Sequence, residues 1–274
     1  MKKKRRNVIP GFGFSAGITI SVLSFIILIP MASIVLKTAG FSPEEFIGTV
    51  TDKRVVSSYQ VSFGCSFVAA IINTIFGLLL AWVLVRYEFP CKRIVDGLIE
   101  LPFAIPTAVA GIALTTLYSD QGWLGSIFAK WGLKISYTKL GIVLAMIFIG
   151  IPFVVRGVQP VLEGLDKQYE EAAEMLGASR FRTFFKVIFP ELLPALLTGF
   201  GLAFARGVGE YGSVVFIAGN APYETEIAPL LIVSKLEEFD YTGATAIALV
   251  MLLFSFLIML VINSIQIYTG KFKA

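Results

Sequence analysis

The chain has 274 residues, 56% of them hydrophobic, with 23 Lys and Arg against 19 Asp and Glu, and no histidine. That apolar share exceeds the ~45–50% of soluble domains, and its long unbroken runs exclude a β-barrel, whose strands alternate. Imidazole chemistry is excluded outright, the two cysteines (Cys65 and Cys91) do not make a disulfide framework, and a net charge of +4 is no nucleic-acid signal. The class expected is an all-α, polytopic membrane protein forming one domain, 1–274.

The basic head MKKKRRN precedes a first apolar run, Phe12–Leu36. A signal peptide also starts this way, but the run is longer than the ~7–15 residues of an h-region and lacks a suitable cleavage site. It is read as a membrane span. Five further spans are expected over Gln60–Val85, Leu98–Tyr118, Leu140–Gly157, Leu192–Ala218 and Thr242–Tyr268. Each reaches or approaches the ~20 residues that cross the hydrocarbon. Six spans put both termini on one side. With the N-terminus inside, 15 basic residues fall on inner segments, 7 on outer ones, and Arg206 in the membrane. The excess predicts cytoplasmic termini. The outer loops are long. Trp123 and Trp131 stand in one as interfacial anchors or a landing surface, and Gly219–Tyr241 carries an apolar patch, PLLIV, that predicts a short helix at the outer face.

Span three opens with Pro102 and Pro106, four apart, so the helix must start late or break. Irregular backbone at membrane depth is tolerated only inside protein or beside water, which makes Pro102, Pro106 and Thr107 candidates for lining a path. The alternative is that the prolines only mark a first turn.

Between spans four and five, at about 159–191, polarity rises. Asp166 is placed to cap a helix with Glu170 and Glu171 in its first turn, where the positive helix end favours carboxylates. Gly177 suits the left-handed position after it. Ser179 then caps a second helix, FRTFFKVIF, expected to end at Pro190. Ala172 and Ala173 leave the surface small enough for close approach by a partner.

Span five holds Arg206 and Glu210, the only charges well inside a span and four residues apart on one helical face. They read equally as a self-neutralising ion pair or as a charged part of a path. Its small residues form two rows, Gly201, Ala205, Gly209, Ser213 and Gly199, Ala203, Gly207. Such rows permit close helix approach, within the chain or against a second subunit.

The spacing at 171–190 resembles the signature of membrane subunits of ATP-binding-cassette importers: E-A-A, three residues, G, nine residues, I-x-L-P. Glu171, Ala172, Ala173, Gly177 and Pro190 match, with Val187 and Phe189 replacing Ile and Leu. LPFAIPTAVAGIALTTLY, DQGWLG, GEYGSVVFIAGN and KLEEFDY further resemble sulfate/thiosulfate importer permeases, and among their two sister subunits the T-type; molybdate permeases share much of this. The resemblance implies a type I importer fold in a bacterial inner membrane and a path formed with a second permease subunit. It implies a cassette ATPase dimer docked on the 171–177 helix and a periplasmic binding protein delivering the anion. ATP would sit on the ATPase; this chain has no Walker lysine loop, so no cofactor and no hydrolysis are expected of it. The rival classes are a secondary transporter using Arg206 and Glu210, which leaves the EAA spacing unexplained, an intramembrane enzyme, for which no motif exists, and a scaffold.

Overall fold

The computed structural model describes residues 12–271; the basic head at 1–7 and the side chains of Lys271 and Lys273 fall outside what it describes. Every regular element among the described residues is helical. In chain order they are α1 (Phe12–Thr38), α2 (Pro43–Val50), α3 (Lys53–Arg86), α4 (Lys92–Ile99), α5 (Leu101–Ala104), α6 (Thr107–Tyr118) and α7 (Gly125–Ala129). There follow α8 (Lys139–Gly164), α9 (Gln168–Met175), α10 (Arg180–Val208), α11 (Val214–Ile217), α12 (Ala228–Glu237) and α13 (Tyr241–Lys271).

Among the described residues five helices, α1, α3, α8, α10 and α13, are long and apolar enough to cross a membrane. The third expected span is divided instead. Ile105 and Pro106 are extended, with ψ of 132° and 133°, so α5 stops and α6 starts afresh at Thr107. The residue before a proline is pushed out of the helical region, and that ends α5. Arg156 of α8 holds the preceding stretch in place, with Nη1 2.7 Å from Asp96 Oδ1 and Nη2 2.8 Å from Glu100 Oε1.

Helices α3, α8 and α10 form the centre. Val154, Val155, Val158 and Leu162 of α8 are fully buried there. Lipid tails are as apolar as these side chains, so cohesion rests on close contact rather than on expelled water. A methyl group on Gly199 would stand 2.9 Å from Val154 Cα, and one on Gly207 3.1 Å from Ser66 Oγ. The row of Gly199, Ala203 and Gly207 is therefore used inside this chain. Gly201 faces Ile262 of α13. By contrast, none of the most apolar window of α1 is buried; its last turns lean on α13.

Among the described residues two helices contain a widened π-turn. In α1 it spans Ser24–Leu28 and the Ile29 N–H donates to Ser24 O; in α10 it spans Phe184–Ile188 and the Phe189 N–H donates to Phe184 O. A proline follows each at the same offset, Pro30 and Pro190. Pro190 thus does not end a helix as expected. A proline ring clashes with the carbonyl four residues back and leaves it without a donor, and a wider turn relieves both faults.

At the end opposite α9, the loop before α12 is pinned to α3. Arg54 Nε and Nη2 each lie 2.7 Å from one oxygen of Glu226, and the Ala228 N–H donates to Ser62 Oγ at 2.8 Å. The patch PLLIV forms α12 as expected, with Leu230 and Leu231 buried. Asp240 caps α13 by accepting the Gly243 N–H at 2.8 Å. That bond holds its carboxyl below the ordinary value, and Asp240 in turn raises the Lys235 ammonium.

Candidate functional site

Apart from Pro190 and Pro102, the expected site residues gather in two places. The first is the hairpin of α9 and the start of α10. Asp166 Oδ1 accepts the Gln168 N–H at 3.0 Å, and Ser179 caps α10 by accepting from the Arg182 N–H at 3.4 Å. Between them Gly177 has φ +78°. The Ala178 N–H donates to Ala173 O and the Gly177 N–H to Glu174 O, a Schellman closure that spends the last carbonyls of α9. Its consequence is a helix with two distinct faces. Glu170 and Ala173 are half-buried against the body, whereas Glu171, Ala172, Met175 and Leu176 are exposed. Met175 and Leu176 are 90% and 88% exposed, two large apolar side chains at the tip of a polar helix. Sequence reasoning singled out Glu171 and the alanines and missed this apolar pair. The signal was available, because the pair immediately precedes the glycine that ends the helix. Pro190 does not belong to this surface; it lies ten residues beyond Arg180, or ~15 Å along α10.

The second place is a break in α10. The fifth span was expected to run to Ala218, but the helix ends at Val208 with Gly209 as its C-cap. Arg206 is in its last turn and Glu210 lies beyond it. Arg206 Nη1 reaches Glu210 Oε2 at 2.5 Å. The other carboxylate oxygen accepts from the Ser213 N–H at 2.8 Å and the Ser213 Oγ–H at 3.0 Å. A buried carboxylate is thus satisfied by one cation and two donors, and it stops the helix by offering the next turn a better partner. The pair is asymmetric. The Glu210 side chain is 2% exposed and that of Arg206 is 35%.

The interruption in α5–α6 meets this one. Methyl groups on Gly212 and on Gly111 would run into Thr107 Oγ1 and into the Ser213 carbonyl, respectively. The structure therefore brings Thr107, with Pro106 just before it, to the Gly209–Ser213 break. Pro102 is buried in α5, whose Phe103 packs edge-on against Phe153 of α8 at 5.1 Å. Because Gly207 lies against Ser66, the break sits ~18 Å along α3 from Arg54, which is within membrane depth. Ser213 was missed as Glu210's partner, since a predicted continuous helix left it no such role.

Residues 73–270 match the family described as "binding-protein-dependent transport system inner membrane component". The sulfate transport system permease protein CysT of Escherichia coli (strain K12) is 48% identical over 266 residues, covering 97% of this chain and 96% of its own. The protein of that name from Synechocystis sp. is 48% identical over 249 residues, covering 91% and 87%. Among solved structures, a bacterial ABC transporter that imports the acidic polysaccharide alginate superposes with a TM-score of 0.76. It is 15% identical and covers 93% of this chain and 95% of its own. The MetNI methionine ABC transporter gives 0.59 at 16% identity, covering 78% and 95%. The fold is that of an ABC importer permease, and the chain belongs to the family of binding-protein-dependent transport system inner membrane components.

Proposed function

We propose that this chain is one of two permease subunits of an ATP-driven importer for sulfate and thiosulfate. The observation that carries the ATP-driven part is the exposed face of α9, Glu171, Ala172, Met175 and Leu176, held out by the Schellman turn at Gly177. It offers a rigid, largely apolar tip with small residues beside it, the shape a partner groove can close on. A cassette ATPase dimer binds there and carries the nucleotide; this chain binds none. The anion assignment is supported by the sulfate permease relatives. An extracytoplasmic binding protein delivers the anion, and a sister permease completes the path. The basic asymmetry supports cytoplasmic termini and a cytoplasmic α9.

Within the membrane, the half-exposed Arg206 supplies the positive potential that a dianion needs in a low-dielectric path. Buried Glu210, already engaged by Ser213, keeps that potential from becoming a trap.

The test is reconstitution in vesicles with ATPase, sister permease and binding protein, reading ATP-dependent uptake of labelled sulfate and ATPase co-purification. In intact cells, a thiol reagent that cannot cross the membrane should miss a cysteine introduced at Ser179. Gly177→Val cannot adopt the left-handed turn without strain; it should insert normally yet lose both uptake and the co-purified ATPase. Normal uptake by that variant would remove the coupling role of α9.

A further inference from the structure

The α9 hairpin runs on directly into α10, whereas it engages α3 through side-chain contacts. Two of them come from adjacent turns of one helix. Arg86, the last residue of α3, places Nη2 2.6 Å from Glu170 Oε1 on the inward face of α9. Trp82, one turn earlier, meets Phe184 of the α10 π-turn edge-on at 5.4 Å. The Arg86 guanidinium carbon also stands 5.6 Å from the centre of the Trp82 ring, so the two grips are joined. The Arg86 side chain is only 10% exposed, and its Nε is buried with no partner. The guanidinium is therefore held in place by packing and aimed at Glu170, not left to wander at the surface.

The same helix leads to the break. Ser66 of α3 abuts Gly207, one residue from Arg206, ~30 Å from Arg86 along the axis. Ser62, one turn further on, holds the Ala228 N–H at the start of α12. No proline interrupts α3. A push on Arg86 is thus delivered along a single rod to the wall of the α10 break.

We propose that Arg86, through Glu170, is a positioning residue that converts movement of the α9 hairpin into movement of α3, and so into opening at the Gly209–Ser213 break. This rests on the reading that α9 is where an ATPase docks. Neither residue belongs to the docking face, because Glu170 points to the body while Glu171 and Met175 point away.

The experiment uses the reconstituted complex and measures three quantities: ATPase co-purified with the permease, ATP hydrolysed, and sulfate imported per ATP hydrolysed. Arg86→Gln and Glu170→Gln should co-purify the ATPase as the parent chain does and still hydrolyse ATP, while import per ATP falls by about fivefold or more. The double variant should lose no more than either single one, since both remove the same contact. Arg86→Lys, which keeps the charge but not the fork, should recover part of the loss. An unchanged import ratio in the Glu170→Gln variant, whose half-exposed site tolerates the change in folding, would overturn the proposal and leave docking intact. So would additive losses in the double variant, or loss of ATPase co-purification in the singles. Failure of the parent chain to co-purify an ATPase would instead strike the docking reading beneath it.

Discussion

Helix α10 is disturbed twice, at Phe184–Pro190 and at Gly209–Ser213, and the two disturbances end differently. At the first, a proline removes a donor, yet the helix continues through a widened turn closed by Phe189 and Phe184. At the second no donor is missing, yet the helix stops. Glycine costs only ~1 kcal/mol in a helix, so Gly209 and Gly212 alone do not explain that. What differs is a competing partner. Glu210 takes the Ser213 N–H and hydroxyl for itself, and Arg206 makes its buried charge tolerable. At this break the helix ends because its next amide has somewhere better to go, not because a helix-breaking residue stands there.

The strongest way to break this contrast is Arg206→Met. It strands a carboxylate that is 2% exposed, at a cost of about 3–5 kcal/mol, and should sharply lower expression and detergent thermal stability. Glu210→Gln should do less, because Arg206 is 35% exposed and retains access to water. The double variant should regain stability but not sulfate uptake. Full uptake by a well-expressed double variant would leave the pair as scaffold only.

A weaker perturbation is Gly212→Val, which drives a side chain into Thr107 and prises the two interruptions apart. Overpacking of this kind costs about 1–3 kcal/mol. The expected result is a lower melting temperature, with partial relief when Thr107→Ala is added. No relief would mean that the two breaks do not bear on one another.

The smallest effect is expected from Pro190→Ala. If proline only occupies a turn that tolerates it, the change in stability stays within about 1 kcal/mol and far-UV helicity does not rise. A gain in helicity would show that Pro190 does interrupt α10 after all.

The contrast also explains what could be read from the sequence. The α9 hairpin was legible because its determinants are local: Asp166, Gly177 and Ser179 each act within a few residues of themselves. The long spans were legible from apolar length. The break at Gly209 was not: Arg206, Glu210 and Ser213 are close in sequence but also read as one face of a continuous helix, and the packing of Thr107 and Gly111 against the break comes from about a hundred residues earlier. Arg54 with Glu226 and Arg86 with Glu170 are separated by 172 and 84 positions. No spacing rule reaches that far. The π-turn of α10 was missed for a different reason: Pro190 looks like a stop unless the turn before it is allowed to widen.

A five-residue π-turn holds one residue more than the α-helical course it replaces, so each is an insertion already absorbed. Since a helix advances ~100° per residue, deleting a residue between Leu192 and Val208 would rotate Gly199 and Gly207 away from Val154 and Ser66. Deleting one within Phe184–Ile188 would leave the angular order of the side chains on both flanks nearly as it was, but it would return Pro190 to an ordinary turn, so the proline must be replaced as well. A shortened α10 is therefore expected to keep its packing against Val154 and Ser66 only when the deletion falls in that π-turn and Pro190→Ala accompanies it.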